Sequence, residues 1–164
     1  MIESITIRSA RPDEAVVLSS LALRSKAYWG YSREFIESCR DELTYLPDQI
    51  ADEKHYFAVA ECASIVTGFY ALESLSARQF ELEALFVEPK FIGKGIGRTL
   101  LQNALKVVAE RSGESVLIQG DPSAEKFYLA AGGTQIGTRE SGSICGRHLP
   151  LFEILIRPTG VSHP

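Results

Sequence analysis

Leu85–Thr99, LFVEPKFIGKGIGRT, is the stretch that decides the fold. Its first three residues end an apolar strand, and three glycines then follow at alternate positions, Gly93, Gly95 and Gly97. A helix over about 95–110 comes next, because apolar residues recur there with the 3.6-residue period that buries one helix face. These residues are Ile96, Leu100, Leu101, Leu105 and Val108. The stretch therefore predicts a strand, a glycine turn and a helix in direct succession.

The glycine turn has the composition of a phosphate-binding site. Glycine permits positive φ and lets a ligand approach the backbone without meeting a Cβ atom. The following helix start offers unpaired N–H groups and a partial positive charge, beside which Lys94 and Arg98 add their own charges. A solvated loop before a helix is the alternative. The spacing excludes a Walker A loop and the GxGxxG dinucleotide fingerprint, because Arg98 and Leu100 stand where the last glycine is required. A nucleotide-binding enzyme is therefore disfavoured.

Outward from this stretch, the pattern predicts a mixed α/β fold with one central sheet. Upstream, we expect a first strand from Ile2 to about Arg8 and helices over 13–26 and 33–43. Three strands in consecutive hairpins follow at 55–60, 65–72 and 80–87. Downstream, we expect a strand at 116–118, a helix from Asp121-Pro122 to Gly132, and strands at 134–139 and 151–157.

Two segments resemble the GNAT acetyltransferase family. The first is Leu85-x-Val87-x-Pro89 with the turn at 92–97, where Ile92 replaces the usual Gln or Arg. The second is 121–133, which is similar to the family's Asn/Asp-x-x-Ala-x-x-Phe-Tyr segment, with Gly133 replacing an aromatic residue. The resemblance implies a GNAT-like fold. Such a fold has a mostly antiparallel central sheet, flanked by helices and containing one parallel strand–helix–strand unit, here 80–87, 95–110 and 116–118.

The resemblance also implies a co-substrate and a reaction. Acetyl-CoA would bind with its pantetheine along the strand residues Leu85, Phe86 and Val87. Its pyrophosphate would lie on the turn and helix start, formed by Ile92, Gly93, Lys94, Gly95, Ile96, Gly97, Arg98 and Thr99. The backbone cradle does not depend on the side chain that Ile92 replaces. The acetyl group would pass directly to a small-molecule or peptide amine in a ternary complex.

Candidate catalytic residues lie in the same two segments. Tyr128 matches the family tyrosine near the coenzyme sulfur and is our candidate acid, the alternative being simple packing. Glu83 is our candidate base, with Glu81 beside it as a second carboxylate that attracts the acceptor amine. Strand alternation places both on the face of Leu85 and Val87 unless a bulge intervenes. Buried carboxylates are costly unless they serve a function, and a solvent-facing strand end is the alternative.

Two further segments are candidates for the acceptor pocket. Trp29 and Tyr31 belong to an aromatic cluster between the first two helices, where the family builds part of that pocket. Core packing is the alternative for these rings. The loop over 141–148, between the last two strands, is rich in hydrogen-bond donors. It could contact the acceptor or a partner subunit, or it could be an ordinary hairpin loop.

Composition excludes several classes of protein. The 164 residues suit one domain spanning 1–164, with a net charge of −4 and no basic run, so nucleic acid is not expected as a partner. Three separated cysteines without CxxC predict reduced thiols and no zinc or other metal site. The sequence shows no signal peptide and no apolar stretch of about 18 residues, so we expect a cytoplasmic protein without membrane contact. A homodimer that shares the last strand stays open.

A second function class remains open from the sequence. A non-catalytic acyl-CoA-binding sensor on the same fold would retain the glycine turn without needing a base, and fold alone does not establish activity. Coenzyme binding without turnover of any amine would favour the sensor.

Overall fold

The computed structural model describes residues 4–142 and 144–157. Seven strands have the bounds β1 Thr6–Ser9, β2 His55–Cys62, β3 Ile65–Ser74, β4 Gln79–Val87, β5 Ser115–Gln119, β6 Thr134–Glu140 and β7 His148–Leu155. Five α-helices have the bounds α1 Ala15–Ala27, α2 Arg33–Ser38, α3 Pro47–Ala51, α4 Ile96–Glu110 and α5 Glu125–Ala130. No helix in this part of the chain is long and apolar enough to cross a membrane.

The seven strands form one mixed sheet in the order β1-β2-β3-β4-β5-β7-β6. Every neighbouring pair is antiparallel except β4 and β5, which are parallel and joined through α4. A parallel pair needs a crossover connection, which α4 provides. The expected architecture, a mostly antiparallel sheet with one parallel strand–helix–strand unit, is therefore confirmed.

Helices cover both faces of the sheet and form two cores. On one face α4 packs against Tyr70 and Leu72 of β3, and on the other α1 packs over Phe69 and Ala71. Gly68 of β3 lets α4 approach closely, because a Cβ atom there would lie 2.9 Å from Leu100 Cδ1. The start of α4 is thereby held against the sheet beside the glycine turn.

The N-terminal third departs from the expected boundaries. The second helix ends at Ser38 rather than at residue 43, in a segment whose Ser, Cys and Asp residues have low helix propensity. Pro47 lies beyond that predicted end and occupies the first turn of α3, an additional helix in which its missing N–H costs nothing. The first strand begins at Thr6, and Ile2 lies outside the described residues.

A β-bulge at Glu83 overturns the expected face of the two glutamates. Leu82 pairs with Leu72 and Ala84 with Ala71, so Glu83 has no partner in β3. Leu82 packs on the α4 side, whereas Ala84 packs on the α1 side. The bulge reverses the alternation of side chains along β4. Glu81 therefore lies on the face opposite to Leu85 and Val87, which pack on the α4 side. The expectation that Glu81 and Glu83 share a face with Leu85 and Val87 is wrong.

The parallel strands separate beyond the bulge. β4 and β5 pair only from Gln79 with Ser115 to Leu82 with Ile118, while β4 continues to Val87. On the side facing β5, none of the described strands pairs with the backbone of residues 83–87. Buried backbone N–H and C=O groups need hydrogen-bond partners, so the N–H and C=O groups along this edge can form hydrogen bonds with a ligand.

Candidate active site

A cavity of about 740 Å³ opens where β4 and β5 separate. Five segments line it: β4, the glycine turn, the end of β5 with α5, the segment from α1 to α3, and the 141–149 loop. The residues that line it include Lys26, Trp29, Glu42, Glu81, Glu83, Leu85, Phe86, Val87, Ile92, Gly93, Gly95, Gly97, Arg98, Asp121, Tyr128 and Arg147. The cavity therefore brings together the two segments that resemble the GNAT family, residues 85–97 and 121–133.

The glycine turn contributes open backbone to this cavity. Gly93 and Gly95 have φ values of +84° and +86°, and a Cβ atom at either position would meet no heavy atom within 4 Å. Gly95 is the N-cap of α4, so the unpaired N–H groups of the helix start lie at this end of the cavity. The arrangement can receive a phosphate group through the backbone.

Three residues of the predicted coenzyme set do not line the cavity. Ile96 is buried in the core on the α4 side. Thr99 donates its hydroxyl to the carbonyl of Gly95 at 3.0 Å, and Lys94 has an exposed side chain. Ile96 and Thr99 thus stabilise the glycine turn from the side that faces away from the cavity. The other eight residues of the set line the cavity.

Tyr128 lies in the cavity wall on α5. Its side chain is buried against Phe152 and Phe127, with ring centroids 5.8 Å and 5.2 Å away. Burial, and then the negative charge of Asp121, raise the pKa of the Tyr128 phenol above its ordinary value. None of the described residues forms a hydrogen bond with its hydroxyl. The phenol therefore keeps its proton at neutral pH and can donate it to a ligand.

Glu83 lines the cavity and belongs to a network that extends away from it. His55 Nε2 lies 3.5 Å from Glu83 Oε2 and 3.3 Å from Glu73 Oε2. On the other side of the ring, His55 Nδ1 lies 3.3 Å from Asp52 Oδ2, and the Asp52 side chain is exposed. The network thus connects a carboxylate in the cavity with solvent through one imidazole.

The surroundings of Glu83 favour its protonated form. Burial, a hydrogen bond with Glu73, and the negative charges of Glu73 and Glu81 raise its pKa to about 8. The pKa of Glu73 is lowered, first by the same hydrogen bond and also by His55, so one proton of the pair resides mainly on Glu83. A carboxylate with a pKa near 8 is matched to proton transfer near neutral pH.

Glu81 has a different environment. Its Oε2 accepts a hydrogen bond from Arg139 Nη1 at 2.9 Å, which ties β4 to β6. The charge of Glu81 is thus paired with a guanidinium, whereas Glu83 lies beside a second carboxylate, Glu73. The geometry therefore separates two residues that the sequence left equivalent.

The two predicted acceptor-site aromatics lie at different depths. Trp29 lines the cavity and is half exposed. Tyr31 lies behind the cavity wall, where its hydroxyl donates to Asp121 at 2.6 Å. Burial and the contact with Asp121 raise the pKa of Tyr31, so the phenol remains a hydrogen-bond donor.

Asp121 is the centre of contacts that sequence reasoning did not find. Burial opposes its ionisation, but hydrogen bonds from Tyr31, Lys26 and the Ser123 backbone lower its pKa below the ordinary value. Lys26 Nζ lies 2.9 Å away, from a position 95 residues earlier in the chain. The sequence identified Asp121 only as a helix cap, because no local spacing relates it to α1.

Comparisons with known proteins agree with this geometry. The family model described as Acetyltransferase (GNAT) domain matches residues 14–143. An uncharacterized N-acetyltransferase of Methanocaldococcus jannaschii is 26% identical over 117 residues, which cover 68% of this chain and 51% of the relative. The chain thus spans about half the length of this curated relative.

Solved structures extend the similarity to nearly the whole chain. The PaiA N-acetyltransferase from Thermoplasma acidophilum, in complex with coenzyme A, is similar with a TM-score of 0.78 and 25% identity over 93% of this chain and 99% of that one. An aminoglycoside 6'-N-acetyltransferase complexed with coenzyme A has a TM-score of 0.70 and 18% identity over 93% and 98% of the two chains. The second likeness is one of fold alone.

Proposed function

Because the chain belongs to the GNAT acetyltransferase family, as its two motifs predicted, we propose that it transfers acetyl from acetyl-CoA directly to an amine. The observation that carries the proposal is the cavity between β4 and β5. It joins a phosphate-type glycine turn, a carboxylate with a pKa near 8 and a protonated phenol in one space. These three elements supply what acyl transfer from a coenzyme thioester to an amine requires: a site for the coenzyme, a base for the ammonium and a proton donor for the thiolate.

Four groups of the chain would act in the reaction. Glu83 takes a proton from the acceptor ammonium, since only the neutral amine is a nucleophile. Backbone N–H groups of residues 83–87 polarise the thioester carbonyl. As the amine nitrogen bonds to the acetyl carbon, the carbon–sulfur bond breaks, and Tyr128 donates a proton to the departing thiolate. The nitrogen releases its second proton to solvent as the amide forms, and the Tyr128 phenolate regains a proton from solvent before the next turnover. The glycine turn holds the pyrophosphate and fixes the thioester in the cavity.

His55 gives the proton on Glu83 a route to solvent. The imidazole lies between Glu83 in the cavity and the exposed Asp52, with both of its nitrogens within 3.5 Å of a carboxylate oxygen. Histidine can accept a proton at one nitrogen and release one from the other. We infer that His55 returns Glu83 to its ionised form after each turnover.

Replacing His55 tests this route. His55→Ala should lower kcat about tenfold, because the proton on Glu83 must then leave without a relay. Imidazole added to the buffer should restore most of the rate, whereas a merely structural defect would not respond to it. His148→Ala, which removes an exposed imidazole from β7, is the matched control.

Two outcomes would contradict the relay. A rate loss that imidazole leaves unchanged would assign His55 a structural role. The ligand atoms of His55, Glu73 and Glu83 all lie within 4.8 Å of one another, which also suits a cation. Loss of wild-type activity in EDTA would therefore indicate a metal in place of the proton relay.

Coenzyme binding is the first test of the proposed function. We expect acetyl-CoA to bind with micromolar affinity in a calorimetric titration, and ATP and NAD not to bind. If acetyl-CoA does not bind, the proposed function fails. If it binds but no amine in a broad panel is acetylated, the non-catalytic sensor is the better description.

Gly95→Asp should weaken acetyl-CoA binding by about 10- to 100-fold, because it places a carboxylate where the pyrophosphate meets the helix start. Aspartate tolerates positive φ better than most residues, so the fold should survive with a loss of about 1 kcal/mol. Gly132→Asp is the matched control, since Gly132 has φ +96°, the same open surroundings and no place in the cavity lining. Equal loss of affinity in both variants would contradict the proposed phosphate site.

A further inference from the structure

Two aromatic rings behind the cavity wall contact two cations that line the cavity, and among the described residues a carboxylate neutralises only one of these cations. Tyr31 and Phe35 stack with centroids 4.3 Å apart and an interplanar angle of 20°. Lys26 Nζ lies 5.2 Å from the Tyr31 ring, and the Arg147 guanidinium carbon lies 4.9 Å from the Phe35 ring. Lys26 is paired with Asp121 at 2.9 Å.

Arg147 has a surplus of hydrogen-bond donors. Its Nη2 donates to the Tyr31 hydroxyl at 3.4 Å, and no carboxylate of the described residues lies within 4 Å of its guanidinium. A guanidinium offers five N–H donors in a rigid fork that fits a carboxylate. Arg147 lines the cavity and is partly buried, so its remaining donors can meet a ligand.

The guanidinium is also held in position before any ligand binds. The backbone carbonyl of Arg147 accepts a hydrogen bond from Ser141 N at 2.6 Å, and Arg147 N donates to Ile144 O at 3.2 Å. Stacking on Phe35 and the contact with Tyr31 then restrict the side chain itself. Restricting a charged group in advance lowers the entropy cost of binding.

The charged groups around the two stacked rings suit a singly charged anion. Lys26 and Arg147 contribute two positive charges there, and Asp121 contributes one negative charge. Of the three glutamates that line the same cavity, Glu81 is paired with Arg139, while Glu42 and the ionised form of Glu83 add negative charge. Asp121 and Glu42 would repel a doubly charged phosphate more strongly than a carboxylate.

We propose that Arg147 is the carboxylate-binding subsite of the acceptor pocket, so that the acceptor is an amine that also carries a carboxylate, as an amino acid does. The inference rests on the proposed acetyl transfer and names the substrate class of the same cavity. The carboxylate is held by the guanidinium fork, and the amine reaches Glu83 across the cavity. A plain alkyl amine would leave Arg147 without its partner.

Matched pairs of an amino acid and its decarboxylated amine test the subsite. We expect a kcat/KM about 10- to 100-fold higher for L-phenylalanine than for phenethylamine, for L-leucine than for isopentylamine, or for L-lysine than for 1,5-diaminopentane. Arg147→Gln should abolish this preference and leave the amines within about twofold. Arg147→Lys should retain part of it, because it keeps the charge without the fork. Arg24→Gln, which removes an exposed ion pair with Glu88, is the control.

Three results would overturn the proposal. The first is a wild-type enzyme that prefers the amines or acetylates none of the amino acids. The second is a preference that survives Arg147→Gln. The third is weakened acetyl-CoA binding in that variant, which would place Arg147 on the coenzyme. Failure of the proposed function is distinguishable, because acetyl-CoA would then not bind or no amine of either kind would be acetylated.

Discussion

Tyr128→Phe is expected to lower kcat by about 100- to 1,000-fold while the affinity for acetyl-CoA changes less than about threefold. The variant removes one hydroxyl from a ring whose packing against Phe127 and Phe152 is unchanged. Burial keeps the phenol protonated, so its loss leaves the departing thiolate without a proton donor. Steady-state kinetics of thiol release, with calorimetry for acetyl-CoA, would measure both quantities.

Tyr70→Phe is the matched control for this prediction. Tyr70 is also buried, but its hydroxyl donates to Asn103 Oδ1 at 2.6 Å and does not line the cavity. This variant should lose about 1 kcal/mol of stability and keep its kcat. An undiminished kcat in Tyr128→Phe would remove the acid assignment, whatever the control shows.

Glu83→Gln is the second large effect, with kcat/KM expected to fall about 100- to 1,000-fold. In the wild type, log(kcat/KM) should rise with pH up to an apparent pKa near 8, because only ionised Glu83 accepts the amine proton. Burial, the hydrogen bond with Glu73 and the negative charges of Glu73 and Glu81 set this pKa. In Glu83→Gln this limb of the pH profile should disappear.

Glu81→Gln is the control for the pH profile. It loses the negative charge paired with Arg139 but retains Glu83, so the rise of log(kcat/KM) should persist and shift to lower pH, because the charge of Glu81 no longer raises the pKa of Glu83. If the rise of log(kcat/KM) near pH 8 disappeared in Glu81→Gln and persisted in Glu83→Gln, then Glu81 and not Glu83 would be the base.

The same Glu83 substitution should stabilise the protein at alkaline pH. Folding raises the pKa of Glu83 from 4.5 to about 8, so the native state holds a proton that the unfolded chain has released between these values. The stabilisation from this proton is complete below about pH 4.5 and is lost as the pH rises through 8. Glutamine mimics the protonated form and does not titrate.

We therefore expect Glu83→Gln to match the wild type in stability at pH 5 and to exceed it by about 1–2 kcal/mol at pH 8.5. This magnitude is well below the roughly 5 kcal/mol that the full shift would give, because solvent reaches part of the side chain and screens it. Urea denaturation at the two pH values would measure the difference. Equal stabilisation at both would mean that Glu83 titrates normally.

The resemblance to a family could be inferred from sequence because its motifs are local. The glycine turn is dictated by residues within a few positions of one another, and the helix after it by a 3.6-residue period. Asp121 with Pro122 likewise marks the start of the 3-10 turn that leads directly into the helix of Tyr128. Such local patterns can be recognised without knowing how the rest of the chain folds.

The extent of the helices around residues 33–51 was less predictable. Pro47 is compatible both with the end of one helix and with the first turn of the next, and only the packing of Ile50 and Leu43 into the core on the α1 side decided between them. Helix propensity is weak in this segment, and the burial of Leu43 and Ile50 determined where its helices lie.

The sequence by itself thus determined the strand–turn–helix that we propose as the phosphate site, the identity of the two catalytic candidates and the mixed sheet. Only the tertiary structure decided that Glu83 occupies a bulge beside His55 and Glu73, that Glu81 is neutralised by Arg139, and that Arg147 stacks on Phe35. The physical reason is distance along the chain. Arg139 is 58 residues from Glu81 and Arg147 is 116 from Tyr31, and charge, burial and pKa depend on neighbours in space.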